Sequence, residues 1–322
     1  MSLSFSPSII ENKILENFIE YQDIFIEFQS NFLINLHKRY QGVENGNLVL
    51  YFARLAHQDI LRQKDYNLSF NISFENFWEN HKLISPIKKS IVRIAEDTAL
   101  PKETARRKIL QLVKQKVLNK KNNNIGWFPN EQYKESYNLV VKKEITGLSS
   151  LLNFVCKKMK ITTNKESLEK ELKEKFNFYW FHFLNTQLKY LKVWSLQLKD
   201  LELALIVLKM VSIFALKAKK KNLPFEKIFN NPSVIKAFGS ASISATTVSE
   251  VTGIPRATCI RKLEHLVKLK VITQETVSKK YYIIPTIVSK SLIFKQVIHK
   301  ITNIFSEFYF ICLRAHTTKP LN

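Results

Sequence analysis

A gapless internal repeat constrains this chain more than any other feature of its sequence. Residues 96–118, EDTALPKETARRKILQLVKQKVL, align with residues 250–272, EVTGIPRATCIRKLEHLVKLKVI, at a constant offset of 154 residues (250 − 96). Glu96/Glu250, Thr98/Thr252, Pro101/Pro255, Thr104/Thr258, Arg107/Arg261, Lys108/Lys262, Leu112/Leu266, Val113/Val267, Lys114/Lys268, Lys116/Lys270 and Val117/Val271 are identical. Most remaining pairs are conservative, such as Leu100/Ile254 and Ile109/Leu263. Similarity this close implies one structural unit built twice. The surroundings repeat as well. Helical patterns at 9–41 and 47–63 precede the first copy, and patterns at 167–198 and 201–219 precede the second. The chain reads as the duplication of a helical segment plus the repeated unit.

Within the unit the turn chemistry is specific. KKSIVRIAEDT reads as a short helix, Thr98-Ala99-Leu100 as a turn, and Pro101 as the start of a second helix, where its missing N–H costs nothing. The other copy has ATTVSEV, then Thr252-Gly253-Ile254, then Pro255, with Gly253 suited to a positive φ. The second helix spans about 101–115 and 255–269. Ala105, Ile109, Leu112 and Val113 form its apolar stripe, matched by Cys259, Leu263, Leu266 and Val267. Its other face carries Lys102, Glu103, Thr104, Arg106, Arg107 and Lys108, or Arg256, Ala257, Thr258, Arg261, Lys262 and His265. A hairpin is expected next. Val117–Asn119 leads to a polar tip at 120–124 containing Lys120 and Lys121, and 125–129 returns; VITQET leads to VSKK with Lys279 and Lys280, and YYIIP returns.

A short helix, a tight turn, a basic second helix and a hairpin are what a helix-turn-helix with a wing requires. TGIPRATCIRKLEHLVKLKVI resembles the winged helix of IclR-type and MarR-type bacterial transcription regulators in its T-G-I-P turn, its R-x-T helix start, Arg261, and the exit into the wing. TALPKETARRKILQLVKQKVL is similar, with Ala99 in place of the glycine. The resemblance covers roughly 60 residues per copy. It implies that Arg256, Thr258 and Arg261, and Lys102, Thr104 and Arg107, face double-stranded DNA. IclR regulators follow one such unit with a large effector domain; this chain has two units and no candidate for that domain, so effector chemistry does not carry over.

Charge agrees with that expectation. The chain holds 50 Lys and Arg against 27 Asp and Glu, a formal net charge of +23, which favours polyanionic partners. Abundant Lys, Asn, Ile and Phe also fit an AT-rich gene, so part of the excess is compositional. Only six glycines in 322 residues argue for a mainly helical fold and against glycine-rich phosphate loops. Cys156, Cys259 and Cys312 are far apart and read as reduced thiols, and seven scattered histidines form no metal motif. No catalytic or cofactor signature appears, so no enzyme activity and no cofactor are expected. The start, MSLSFSPSIIENKILENF, reads as lacking a signal peptide. LELALIVLKMVSIFAL at 201–216 contains Glu202 and Lys209 and reads as a buried helix rather than a membrane span.

The sequence thus predicts a mainly α fold with two winged helix-turn-helix units, each a three-helix core plus a β-hairpin wing, each preceded by long helices. The division is a helical segment at 1–71, the first unit at 72–145, a central helical segment at 146–234, the second unit at 235–288 and a C-terminal helix from 289 to 322. The aromatic run at 176–183 suits core packing, a dimer interface or a base-stacking platform. A homodimer through the aromatic helices or the C-terminal helix is one expectation. The leading functional expectation is a cytoplasmic, nucleoid-associated transcription regulator with two recognition helices. The alternatives are a replication initiator or chromosome-organising protein, and a scaffold that docks proteins.

Overall fold

The computed structural model describes residues 5–63, 72–80, 84, 89–121, 124–127, 131–220, 242–283 and 292–317. The first half contains α1 (Pro7–Glu16), α2 (Phe18–Tyr40), α3 (Val43–Gln63), α4 (Ile91–Thr98), α5 (Lys102–Lys114), β1 (Asn119–Lys121), β2 (Asn124–Gly126) and α6 (Lys134–Lys158). The second contains α7 (Lys165–Glu174), α8 (Phe176–Leu198), α9 (Leu201–Lys220), α10 (Ala245–Thr252), α11 (Arg256–Lys268), β3 (Ile272–Gln274), β4 (Tyr281–Ile283) and α12 (Leu292–Thr317). The protein is mainly helical, with two small antiparallel two-stranded sheets.

Among the described residues, each α-helix of the first half has its counterpart in the second, in the same order. The helices α1–α3 recur as α7–α9 at an offset of 158 (176 − 18), and α4–α5 recur as α10–α11 at 154 (245 − 91). Four residues (158 − 154) are therefore missing from the second half between the start of α9 and the start of α10, relative to α3 and α4. β2 recurs as β4 at 157 (281 − 124). At that offset the buried residues of α6 at 144, 145, 148, 149, 151, 152, 155 and 156 fall on buried residues of α12. Details of the backbone repeat too. Ser6 and Asn164 cap α1 and α7 with their side chains, and Gln41 and Lys199 end α2 and α8 in left-handed conformations. The single helix expected over 9–41 is two helices, parted at Asn17, and its counterpart is parted at Lys175.

The halves are interlocked rather than set side by side. α3 lies along α8, and α2 lies along α9; α1 packs on α12, and α7 on α6. Each of these contacts has its reciprocal in the other half, which is the pattern of an isologous, twofold interface. The pairs α3·α9 and α6·α12, each a helix against its own counterpart, mark the pseudo-axis. Ring contacts obey the same rule. Phe25 meets Tyr190 edge-on at 6.2 Å, and their counterparts Phe183 and Phe32 meet edge-on at 5.8 Å. Phe25/Phe183, Gln29/Gln187 and Leu33/Leu191 are identical pairs, buried in both copies along one face of α2 and α8.

One apolar core results, drawing on all five segments of the sequence-based division. Phe176, Tyr179, Trp180 and Phe183 of the aromatic run are buried in it, as are Phe305, Phe308 and Tyr309 of α12. The faces expected to form a homodimer are thus largely covered within the chain. Leu201, Leu205, Ile206 and Val207 of α9 are buried as well, and no helix among the described residues is long and apolar enough to cross a membrane. His57 of α3 is fully buried against α8. Its Nδ1 lies 2.6 Å from Asn177 Oδ1, its ring stacks on Phe77, and burial pushes its pKa down to about 4.

The duplicated turns supply an internal control. Ala99 and Gly253 both hold positive φ, 53° and 79°, after α4 and α10. That conformation costs an L residue about 1–2 kcal/mol, which glycine avoids. Ala99→Gly is therefore expected to stabilise the protein by about 1 kcal/mol. Gly253→Ala should destabilise it by at least as much, because its Cβ would also meet Lys38 Cε at 3.2 Å. Chemical denaturation of both variants checks this; opposite signs are required.

Candidate nucleic-acid interface

The basic faces stand on two equivalent scaffolds. Ser90 and Ser244 cap α4 and α10 by accepting from the N–H groups of Arg93 and Thr247 at 3.2 and 3.0 Å. Thr98 and Thr252, both fully buried, donate their hydroxyls to Ile94 O and Val248 O at 2.7 and 2.6 Å. The chain then turns through Ala99 or Gly253, and buried Leu100 or Ile254 pins the turn to the core. Pro101 and Pro255 occupy the N-cap, one residue before the first helical position where the sequence placed them. Ala105, Ile109 and Leu112 bury one face of α5, and Cys259, Leu263 and Leu266 bury the same face of α11. Lys116 and Lys270, at φ 58° and 57°, end the helices, with the N–H groups of Val117 and Val271 returning to Leu112 O and Leu266 O.

Each turn is also held by the opposite half. Ser195 of α8 donates to Ala99 O at 2.9 Å, and its counterpart His37 of α2 lies beside Gly253. Side-chain bonds also fix the starts of α3 and α9 against the basic helices. Lys108 Nζ reaches Glu44 Oε2 at 3.2 Å and Asn45 Oδ1 at 3.3 Å. Lys262 Nζ is hydrogen-bonded to Asp200 and lies 3.0 Å from Glu202 Oε2. Glu202 also faces His37 Nδ1 at 3.5 Å. The His37 and Lys262 contacts overcome burial and bring the Glu202 carboxyl down to about 2.

This corrects the site assignment at two positions. Lys108 and Lys262 were expected on the exposed face, yet Lys262 is only 12% exposed and both are committed to acids of the neighbouring helices. They border the buried stripe, where a long side chain covers apolar surface and places its charge at the edge. The sequence held a signal for this: Glu44 and Glu202 are identical at the 158-residue offset.

The other expected residues lie outward. Lys102, Glu103, Arg106 and Arg107 are exposed on α5, and Thr104 is half-buried in its first turn. Arg256, Arg261 and His265 are exposed on α11, and Thr258 matches Thr104. Glu103 and Arg106 form a loose exposed pair at 3.9 Å, and Arg256 Nε donates to Thr246 Oγ1 at 3.1 Å. Lys102, Arg107 and Arg261 have neither ion pair nor hydrogen bond among the described residues. Lys120 and Lys121 are exposed but belong to β1 rather than to the hairpin tip, whose residues 122 and 123 lie outside the described residues. Lys279 and Lys280 are exposed at the end of the second hairpin turn, as expected. β1 pairs with β2 from Asn119↔Gly126 to Lys121↔Asn124, and β3 with β4 from Ile272↔Ile283 to Gln274↔Tyr281. Ile243, just before α10, bridges to Tyr281 and ties the second hairpin to the helix pair.

Neighbouring residues of one helix turn should therefore behave oppositely. Lys262→Met strands two partly buried carboxylates and is expected to cost about 2 kcal/mol of stability, against less than about 0.5 kcal/mol for Arg261→Met. The Lys262 deficit should be full above pH 4.5, because the depressed Glu202 carboxyl contributes there. It should shrink as pH falls toward about 2, where wild-type Glu202 is protonated too. Denaturation at pH 7 and pH 3 tests this, and an equal deficit at both would remove the ion pair as its cause.

Among known families, curated proteins and solved structures, none matches this chain.

Proposed function

We propose that α4–α5–β1–β2 and α10–α11–β3–β4 are winged helix-turn-helix units, and that the chain binds specific double-stranded DNA sequences as a transcription regulator. The observation that carries this reading is the pairing of two outward-facing basic helices, α5 and α11, on equivalent scaffolds related by a pseudo-twofold axis. A twofold reader suits an inverted repeat, since the local symmetry of duplex DNA is itself twofold. One chain then does what a dimer ordinarily does. Arg107 and Arg261 contact phosphates; Lys102 and Arg256, in the first turns, contact base edges. Where the copies differ, at Glu103/Ala257 and Arg106/Ile260, the half-sites differ. The target is an imperfect inverted repeat.

Selection of binding sites from random duplex DNA tests the proposal. The enriched sequence should contain two unlike half-sites in inverted orientation. Affinity should fall steeply with salt, by about 0.9 in log K per decade of salt for each of roughly 6–10 phosphate contacts. Arg107→Ala and Arg261→Ala should each weaken binding to all sequences and reduce that slope by about 1. Lys102→Ala and Arg256→Ala should instead change preference in one half-site each, by about 1–3 kcal/mol. Direct repeats or a perfect palindrome would overturn the two-reader arrangement. A flat salt dependence would overturn DNA binding altogether and leave protein docking as the role of the two units.

A further inference from the structure

The internal symmetry fails conspicuously at one groove. Between α2 and α6 lies a half-open cavity of about 460 Å³, within the size range of small-molecule sites. Phe28 and Phe32 give it an apolar side; Glu27, Asn31, Asn35, Lys143 and Glu144 give it a polar one. Glu144 is the unusual member, a carboxyl only 8% exposed on the inward face of α6. Among the described residues it has neither hydrogen bond nor ion pair. Arg39, whose charge acts on it, is placed over the rings of Tyr40 and Tyr137 at 5.5 and 5.3 Å, and Lys143 neighbours Glu144 in the lining.

The second half fills the corresponding place with different residues. At the corresponding positions of α8 and α12, Asn31 and Ser150 become Lys189 and Glu307, which close the rim as an ion pair at 2.7 Å. Glu144 becomes Ile301, buried in the core, and Gly147 becomes Ile304. Gly147 is essential to the open form, since a Cβ there would meet the Phe28 ring at 2.5 Å. One copy of the duplicated helix pair thus carries an ion pair and two isoleucines where the other has an open groove lined by an acid and a glycine.

We propose that the α2–α6 groove binds a small organic cation, an ammonium or amidinium group carried on an apolar or aromatic body. The charged end meets Glu144 and the carboxamides of Asn31 and Asn35, and the body lies against Phe28 and Phe32. A neutral ligand would leave the acid unrewarded, and an anion would face two carboxyls, Glu27 and Glu144, against the single ammonium of Lys143. Such a ligand supplies the opposite charge that a buried carboxylate requires.

Binding is linked to a proton. Burial raises the Glu144 carboxyl to about 8, against the opposing pull of Arg39. The other groups around it are Glu27 and Tyr40 on α2 and Tyr137 and Lys143 on α6. Glu169 of α7 is turned to Thr146 and Lys173 instead. A cation selects the ionised form, so Glu144 loses its proton on binding. Affinity should rise about tenfold per pH unit below about 8 and level off above it.

The experiment is calorimetric titration of the full chain with 2-phenylethylammonium, and with 2-phenylethanol as its neutral counterpart, from pH 6 to 8.5. One equivalent of the ammonium should bind saturably with the stated pH profile, and the alcohol about tenfold or more weaker at pH 8. Glu144→Gln, a neutral isostere that preserves the packing, should flatten the profile and erase the preference for the ammonium. The pair Asn31→Lys with Ser150→Glu installs the rim of the second half and should abolish binding while leaving the melting temperature near wild type. Absence of saturable ammonium binding at pH 8.5, a second equivalent, or unchanged binding by Glu144→Gln would each overturn the assignment.

Discussion

Neither half of this protein can bury its own helices, and the architecture follows from that constraint. α2 and α8 each have one face that is covered only by the other half's α9 or α3. The buried identities Phe25/Phe183 and Leu33/Leu191 lie on that shared seam. Covering both faces by reciprocal exchange puts the long helices at the centre. The terminal helices α1 and α7 are carried across onto the opposite α12 and α6. The two basic helices are then placed at the ends of α3 and α9, held there by Lys108–Glu44 and Lys262–Glu202. Removal of about 25 cal/mol of apolar hydration per Å² along such a seam dominates any single polar contact in the molecule. Even so, the seam tolerates Gln29 and Gln187, fully buried with neither carboxamide partnered among the described residues.

Once a fold is doubled within one chain, its copies are free to diverge. They have done so unevenly. The turn and the helix after it have kept their threonine, proline, arginine and lysine at matching positions. The lysine anchor has changed its second partner, from the amide of Asn45 to the carboxylate of Asp200. The α6/α12 pair has diverged further: identity persists at Val140/Val297, Lys143/Lys300 and Ser149/Ser306, while an acid and a glycine face two isoleucines. Divergence is least where backbone geometry fixes the residue.

This pattern explains what could be read from the sequence. The repeated unit was legible because its determinants are local: a serine cap, a left-handed turn, a proline and a hairpin within some forty residues. The expected helices at 101–115 and 255–269 are found at Lys102–Lys114 and Arg256–Lys268. The exposed positions of Arg107 and Arg261 followed from the helical periodicity, and those of Lys279 and Lys280 from the hairpin pattern. The break at Asn17 was not legible, because the apolar pattern runs on across it and the direction of α1 is set by α12, nearly three hundred residues later. The roles of Lys108 and Lys262 were not legible from a helical wheel, which shows that a lysine borders the core but not which acid approaches it. The aromatic run of α8 was open to core packing, a dimer seam or a stacking platform; it packs in the core, against a partner half already present in the chain.

The joint between the halves is six residues long, from Met159 to Asn164 between α6 and α7. It carries a consequence for dosage. A homodimeric arrangement of the same kind falls apart on dilution, and its abundance varies with the square of the concentration of free subunits. Here both faces are covalently tethered, so their one-to-one stoichiometry holds at any dilution. The number of complete assemblies therefore rises in simple proportion to the number of chains synthesised, with no threshold below which only half-molecules exist.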